Sequence, residues 1–207
     1  RDAQESRGLG DVYKRQEHYD YNPEKAQEIL EAAGCTRNSD GFYERDGEEI
    51  GFVISVMSGE QDRIDIAQAA AQQLRETGIN CTVEIPAQMD WGGQMACLIG
   101  WGSPFDADDH TYKVFGTDKG ANYSSYSNEK VDEYLSLARQ SDDPEVRKEY
   151  YGKFQEELAE DPAYAFICYI DANYVADSGI QGISKDTVLG HHGVGIFWNI
   201  QDWTIEE

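Results

Sequence analysis

The chain lacks a long hydrophobic run: its mean hydropathy is -0.67, and nothing in it approaches the ~20 apolar residues that cross a bilayer as a helix. Nor does it carry a positively charged start followed by an apolar segment, the mark of a secretory signal. Basic residues are scarce. Lys and Arg number 17 against 40 Asp and Glu, a net charge of -23, so a nucleic-acid polyanion would be repelled rather than gathered. The acidic residues are spread along the chain, which reads as a solvated acidic surface. Cysteines are few. Cys35, Cys81, Cys97 and Cys168 have no metal-ligand spacing; Cys97 and Cys168 fall in apolar runs expected to be strands, and buried, reduced thiols are the expectation for the set. A Cys35 to Cys81 bridge stays open in an oxidising compartment. No Ser or Cys lies in a nucleophile elbow, and no phosphate-cradling glycine loop is present.

What is there is globular. The 207 residues are 40% hydrophobic and 12% aromatic, enough to bury a core. Residues 1–16 show no sustained period and are read as a leader foreign to the domain. Asn22 before Pro23 starts a helix with Ala26, Ile29, Leu30 and Ala33 on its apolar stripe, and Gly34 stops it. Phe42 and Tyr43, then Ile50 to Met57, read as strands parted by the turn Asp46-Gly47. Asp62 to Thr77 is predicted as a helix with Ile66, Ala69, Ala70, Gln73 and Leu74 facing inward, closed by Gly78. Ile79 to Ile85 is a strand again, so strand, helix and strand make a parallel βαβ unit. Met95 to Trp101 is expected as a further strand. Downstream, Ser127 or Asn128 caps a helix bearing Val131, Leu135 and Ala138. Asp143-Pro144 caps another that runs to about Glu160, with Arg147, Tyr151, Gln155 and Leu158 on one face. Arg147 and Gln155 are expected to pair with acidic neighbours on that helix, and Ala163 to Ile170 to be a strand of the same sheet.

Between these parts lies Leu98 to Asn128, where an apolar run ends at Trp101 and opens into a long segment rich in aspartate and aromatic residues. A structureless connection of more than ~12 residues is uncommon and usually functional, so the binding surface is placed here. Trp101 and Tyr123 offer flat apolar faces; Ser103, Asp106, Asn122 and backbone groups can hydrogen-bond a ligand. The same loop holds the one candidate reaction or metal site, Asp106, Asp108, Asp109 and His110, whose three carboxylates and imidazole could hold a divalent cation or activate water. No calcium-loop glycine and no second histidine at helical spacing accompany it.

An apolar strand ending in Gly-Trp, an Asp-rich loop, then Asn122, Tyr126, Asn128 and Asp132 leading into a helix resemble the extracytoplasmic solute-binding proteins of peptide- and nickel-type ABC importers. Arg147, Tyr151, Gln155, Asp161 and Pro162, followed by Ala165 to Tyr169, resemble that family's late helix and strand, and Tyr21 to Gly34 its helix at the start of the lobe. The resemblance runs from Tyr19 to Trp203. It implies an α/β fold, the C-terminal lobe of a two-lobed, type II periplasmic-binding-protein architecture with a mixed sheet flanked by helices. It places that lobe at 17–172, and makes 173–207 a segment returning to an N-terminal lobe that the chain does not hold. Phe197, Trp198 and Trp203 would then be unusually exposed.

By resemblance the protein binds a peptide or similar small solute between its lobes, and Trp101, Gly102, Ser103, Asp106, Asn122 and Tyr123 are the ligand-binding candidates. Family members that bind peptides use an aspartate three residues past the tryptophan for the ligand's amino terminus; here that position is Pro104, and Asp106 is the substitute. The resemblance further implies a monomer that serves a membrane permease from the periplasm or the cell surface as a lipoprotein, with no cofactor, no metal and no catalysis. Two other readings stay open. A metal-dependent hydrolase would converge its carboxylates on His110, and an interaction module would show a flat apolar patch.

Overall fold

Asn22 opens the first helix, α1 (Pro23–Ala32), by accepting a hydrogen bond from the Lys25 backbone N–H at 2.9 Å, and Pro23 has no N–H to leave unsatisfied. This computed structural model describes residues 21–101, 106–169, 173–184 and 195–205. They fall into two compact units, divided between Gly100 and Trp101.

In the first unit, Gly34 adopts φ +85° as α1 ends. Three short antiparallel strands follow, β1 (Thr36–Arg37), β2 (Tyr43–Arg45) and β3 (Glu48–Glu49). Asp46 and Gly47 turn the β2–β3 corner with φ of 55° and 82°, the paired positive values that match a two-residue hairpin to the twist of its strands. Next come β4 (Gly51–Ser55), α2 (Gln61–Thr77) and β5 (Asn80–Glu84). β4 and β5 run parallel from Gly51↔Asn80 to Ser55↔Glu84, which is the expected βαβ unit. A third strand, β6 (Ala96–Cys97), joins β4 in parallel on its other side, making β4 central. Val56, Ile64 and Ala67 form the core, with Ile54, Val83 and Leu98 packed on it.

The inward face of α2 is Ile64, Ala67 and Ala71, while Ala69 and Gln73, expected inside, are exposed. Apolar residues at 64, 66, 67 and 69–71 cover more than one face, so spacing alone does not choose the angle; contact with β4 and β5 does. Gly78, with φ +106°, ends the helix in the left-handed conformation. The strand expected over Met95 to Trp101 contracts to the two residues of β6.

The second unit holds α3 (Ala107–Phe115), α4 (Glu129–Arg139) and α5 (Pro144–Glu160). Asn128 caps α4 and Asp143 caps α5. Val131, Leu135 and Ala138 of α4 meet Tyr151, Phe154 and Leu158 of α5 in one buried cluster, against which Tyr112 and Phe115 of α3 also pack. Spacings of three and four residues put each set on one face of its helix. A two-stranded antiparallel pair, β7 (Ile180–Gln181) and β8 (Thr204–Ile205), completes this unit's described strands.

Three expectations are corrected here. The long loop contains a helix, α3. Residues 163–169 form no strand: Tyr164 turns its ring edge-on to Phe115 at 5.6 Å, and no ladder partner lies alongside among the described residues. Cys168 is therefore exposed and Cys97 only half-buried, while Cys35 and Cys81 are buried; all four are free thiols. At the chain's other end, Phe197 and Trp198 are exposed at 61% and 60%, with Val175 and Ile205 higher still. Trp203 is half-buried, its indole N–H donating to Asn199 Oδ1 at 3.1 Å.

Candidate functional site

The acidic loop resolves into a helix start. Asp106 has extended backbone angles and its side chain accepts from the Asp108 N–H at 2.8 Å, so it is the N-cap of α3. Asp108 and Asp109 then lie in the first turn and Lys113 in the last, the charge order that complements the helix dipole. Each carboxylate has its own cation. Arg147 Nη2 lies 2.7 and 2.8 Å from the two oxygens of Asp106. Arg139 Nε lies 3.1 Å from Asp108, and Lys113 Nζ lies 3.1 Å from Asp109. The Asp108 N–H, reinforced by Arg147, holds the Asp106 carboxyl below its usual range. Burial, then the neighbouring Asp108, pushes the Tyr151 hydroxyl up to about 12.

The three aspartates thus pair with three different cations, and His110 Nε2 lies 3.8 Å from Asp109. Among the described residues no group of three or more His, Cys, Asp or Glu side chains is placed to hold a metal ion. Water activation at this loop has no geometric support. Arg147, expected to pair along its own helix, reaches a partner 41 residues away, and Gln155 is buried.

The aromatic candidates do come together. Trp101 stacks on Tyr123 with centroids 6.1 Å apart and an interplanar angle of 15°. His110, one turn into α3, lies against Trp101 at 5.4 Å and 49°. The Trp101 indole N–H is shielded from solvent and has no acceptor among the described residues; an unmet buried donor costs about 1–3 kcal/mol. Gly102 and Ser103 lie outside the described residues.

Asn122 has a different task from the one the sequence predicts. Its Nδ2 donates to the carbonyls of Gly116 at 3.0 Å and Tyr126 at 2.7 Å. Its Oδ1 accepts from the Tyr126 N–H at 3.1 Å and the Ser124 hydroxyl at 3.2 Å. Two donors and two lone pairs are the whole capacity of the amide, so Asn122 builds the turn that presents Tyr123.

The residues that spacing alone leaves out are Arg139, Tyr112 and α3 itself. Arg139 lies 3.8 Å over the Tyr112 ring while it bonds Asp108. One local signal could have found the helix: Asp109 and Lys113 stand four apart behind a capping aspartate. In the first unit an open groove lined by Phe42, Gln68, Ala71, Arg75 and Val83 is a separate concavity that contains none of the predicted site residues. No described helix is long and apolar enough to cross a membrane.

The sequence model of bacterial extracellular solute-binding proteins, family 5 Middle, matches residues 6–123, beginning inside the segment 1–16 set apart above. Protein XP55 of Streptomyces lividans is 33% identical over 166 residues, covering 77% of this chain and 31% of that protein. The oligopeptide-binding protein AppA of Bacillus subtilis is 26% identical over 200 residues, 89% of this chain and 35% of its own. Among solved structures, NikZ from Campylobacter jejuni in complex with Ni(L-His) superposes with a TM-score of 0.79 at 36% identity, over 92% of this chain and 40% of that one. AppA of Bacillus subtilis bound to a nonapeptide gives 0.73 at 24% identity, over 93% and 39%. The chain spans about a third of the length of the curated relatives it matches.

Proposed function

The chain belongs to family 5 of the bacterial extracellular solute-binding proteins and has the α/β build of a type II periplasmic-binding-protein lobe, and from that premise we propose that it is part of the substrate-binding component of an ABC importer for peptides or similar small solutes. It supplies the C-terminal lobe of a receptor that holds its ligand between two lobes and closes by hinge motion. The observation that carries this is the Trp101–Tyr123 stack: paired flat rings give an apolar face with polar edges, the kind of surface that suits a small solute with apolar and amide parts.

In this reading Trp101 and Tyr123 hold the ligand's apolar parts, and Gly102 and Ser103 add backbone and hydroxyl bonds. Asp106 and Asn122 shape the surface, since Arg147 and the 116–126 turn already occupy their polar atoms. Residues 173–207 lead toward the other lobe, which fits the exposure of Phe197 and Trp198. The working protein is a monomer outside the cytoplasm, periplasmic or lipid-anchored at the cell surface, and passes its cargo to a permease without chemical turnover. The divergent carboxylates of α3 favour binding over hydrolysis.

The test is calorimetric titration of the receptor, read from its complete coding sequence, with a tri- to pentapeptide mixture and with nickel plus free histidine. Saturable binding to one of them, weakened at least tenfold by Trp101→Ala, is expected. A folded receptor that binds neither, or that binds with Trp101→Ala unchanged, would refute the assignment. The 207-residue chain alone is expected to bind far more weakly, because only one side of the cleft contacts the ligand.

A further inference from the structure

The geometry points to Arg147, seconded by Arg139, as a positioning residue that holds the Trp101–Tyr123 stack in place through α3 without touching a ligand. It rests on the reading of that stack as ligand-facing.

A helix of nine residues that fully buries only Val114 is too short to be fixed by its own hydrogen bonds. Its orientation has to come from outside. The platform is the α4–α5 cluster, and two arginines on that platform reach the first turn of α3. Arg147 grips the cap residue Asp106 through both carboxylate oxygens. Arg139, the last residue of α4, takes Asp108 at 3.1 Å and covers Tyr112, one turn further along. One contact fixes where α3 begins; the other fixes its rotation about its axis.

That rotation decides where His110 points, and His110 is the α3 side chain set against Trp101. The line of contact therefore runs Arg147, Asp106, α3, His110, Trp101, Tyr123. The placement of Arg147 supports a role beyond its own helix. It sits in the opening turns of α5, where a cation opposes the helix dipole, so what it offers is its grip on Asp106. The Arg147 side chain is 24% exposed and the Asp106 side chain 60%, so water screens the charge attraction and the grip rests on the contact with both carboxylate oxygens.

Exchange of the Trp101 indole proton, followed by NMR on the ligand-free 207-residue chain, tests this independently of any ligand. The Trp101 resonance is assigned with Trp101→Phe, and the Trp203 indole serves as an internal control. Arg147→Met is expected to speed Trp101 exchange at least tenfold and leave Trp203 unchanged. Asp106→Asn keeps a good helix cap but loses the ion pair, and is expected to do the same; Arg147→Lys is expected to fall between. Unchanged Trp101 exchange in Arg147→Met would overturn the inference, as would a change in Asp106→Asn alone. Should Arg147→Met not fold, Arg147→Lys and Asp106→Asn decide the matter by the same criterion. Because no ligand is present, failure here is separate from failure of the transport reading.

Discussion

Asn128 offers the sharpest test of how the second unit is held together. Its Oδ1 accepts from the N–H groups of Lys130 at 3.0 Å and Val131 at 3.2 Å, capping α4. Its Nδ2 donates to Glu157 at 3.2 Å and Asp161 at 3.1 Å, tying the start of α4 to the end of α5. Removing the cap costs about 1 kcal/mol. The two bonds to carboxylates would be worth more if buried, but in partly exposed surroundings they add about 1 kcal/mol together. Asn128→Ala should therefore destabilise the fold by about 2 kcal/mol, a fall in Tm of about 4–8 °C for a chain of this size. Asn128→Ser keeps the cap and loses only the donors, so about half that loss is expected. Asn128→Asp also keeps the cap but sets a third carboxylate against Glu157 and Asp161. It should be less stable than Asn128→Ser at pH 7 and approach it below about pH 4, as the carboxylates protonate. Urea unfolding at unchanged m, with calorimetric Tm as a second reading, measures all three. If Asn128→Asp matches or exceeds Asn128→Ser at pH 7, the link between α4 and α5 is not what the distances imply.

Other outcomes can be checked alongside. Gly78→Ala should cost more than about 1 kcal/mol by urea unfolding, because φ is +106° and the added carbon would lie 2.5 Å from Arg37 Nη1 and 3.0 Å from the Tyr43 ring. The Asp106 and Glu157 carboxyls are both held below their usual range, Asp106 chiefly by the Asp108 N–H and Glu157 chiefly by Lys130. As pH falls, the unfolded chain takes up these protons first, so the stability they contribute is full above about pH 4.3 and is lost as pH drops through the folded values. Asp106→Asn with Glu157→Gln should flatten the urea midpoint between about pH 5 and pH 2.5. Maleimide labelling of the native chain should modify Cys168 fastest. Cys97, half-buried and with its thiol pushed up by burial, should follow slowly, and Cys35 and Cys81 should react last.

Much of this architecture was legible wherever one residue carries a local instruction. Asn22-Pro23, Asn128 and Asp143-Pro144 each begin a helix where their chemistry demands, and Asp46-Gly47 turns as expected. The βαβ unit followed from three adjacent segments whose periods differ. What could not be read was set by distance along the chain. Arg147 finds Asp106 across 41 residues, and no pattern on α5 announces that. α3 was missed because aspartates favour turns and helix starts alike; the choice was made by Tyr112 and Phe115 packing on α4 and α5. Residues 163–169 have the composition of a strand, but a strand also needs a neighbour, which composition does not supply. At the site, Trp101 and Tyr123, both chosen for their flat apolar faces, lie stacked on one another. The duties of Asp106 and Asn122 depended on bonds that only three dimensions reveal.

The apolar side chains left in water by Val175, Phe197, Trp198 and Ile205 set the colloidal behaviour of the isolated chain. At low ionic strength the net charge of -23 keeps copies apart before those surfaces meet. Added salt shortens the reach of that repulsion to a few ångströms and leaves the greasy contacts intact. Purification in dilute buffer should yield a clear solution that clouds as sodium chloride is raised, the reverse of what a protein held together by surface ion pairs would do.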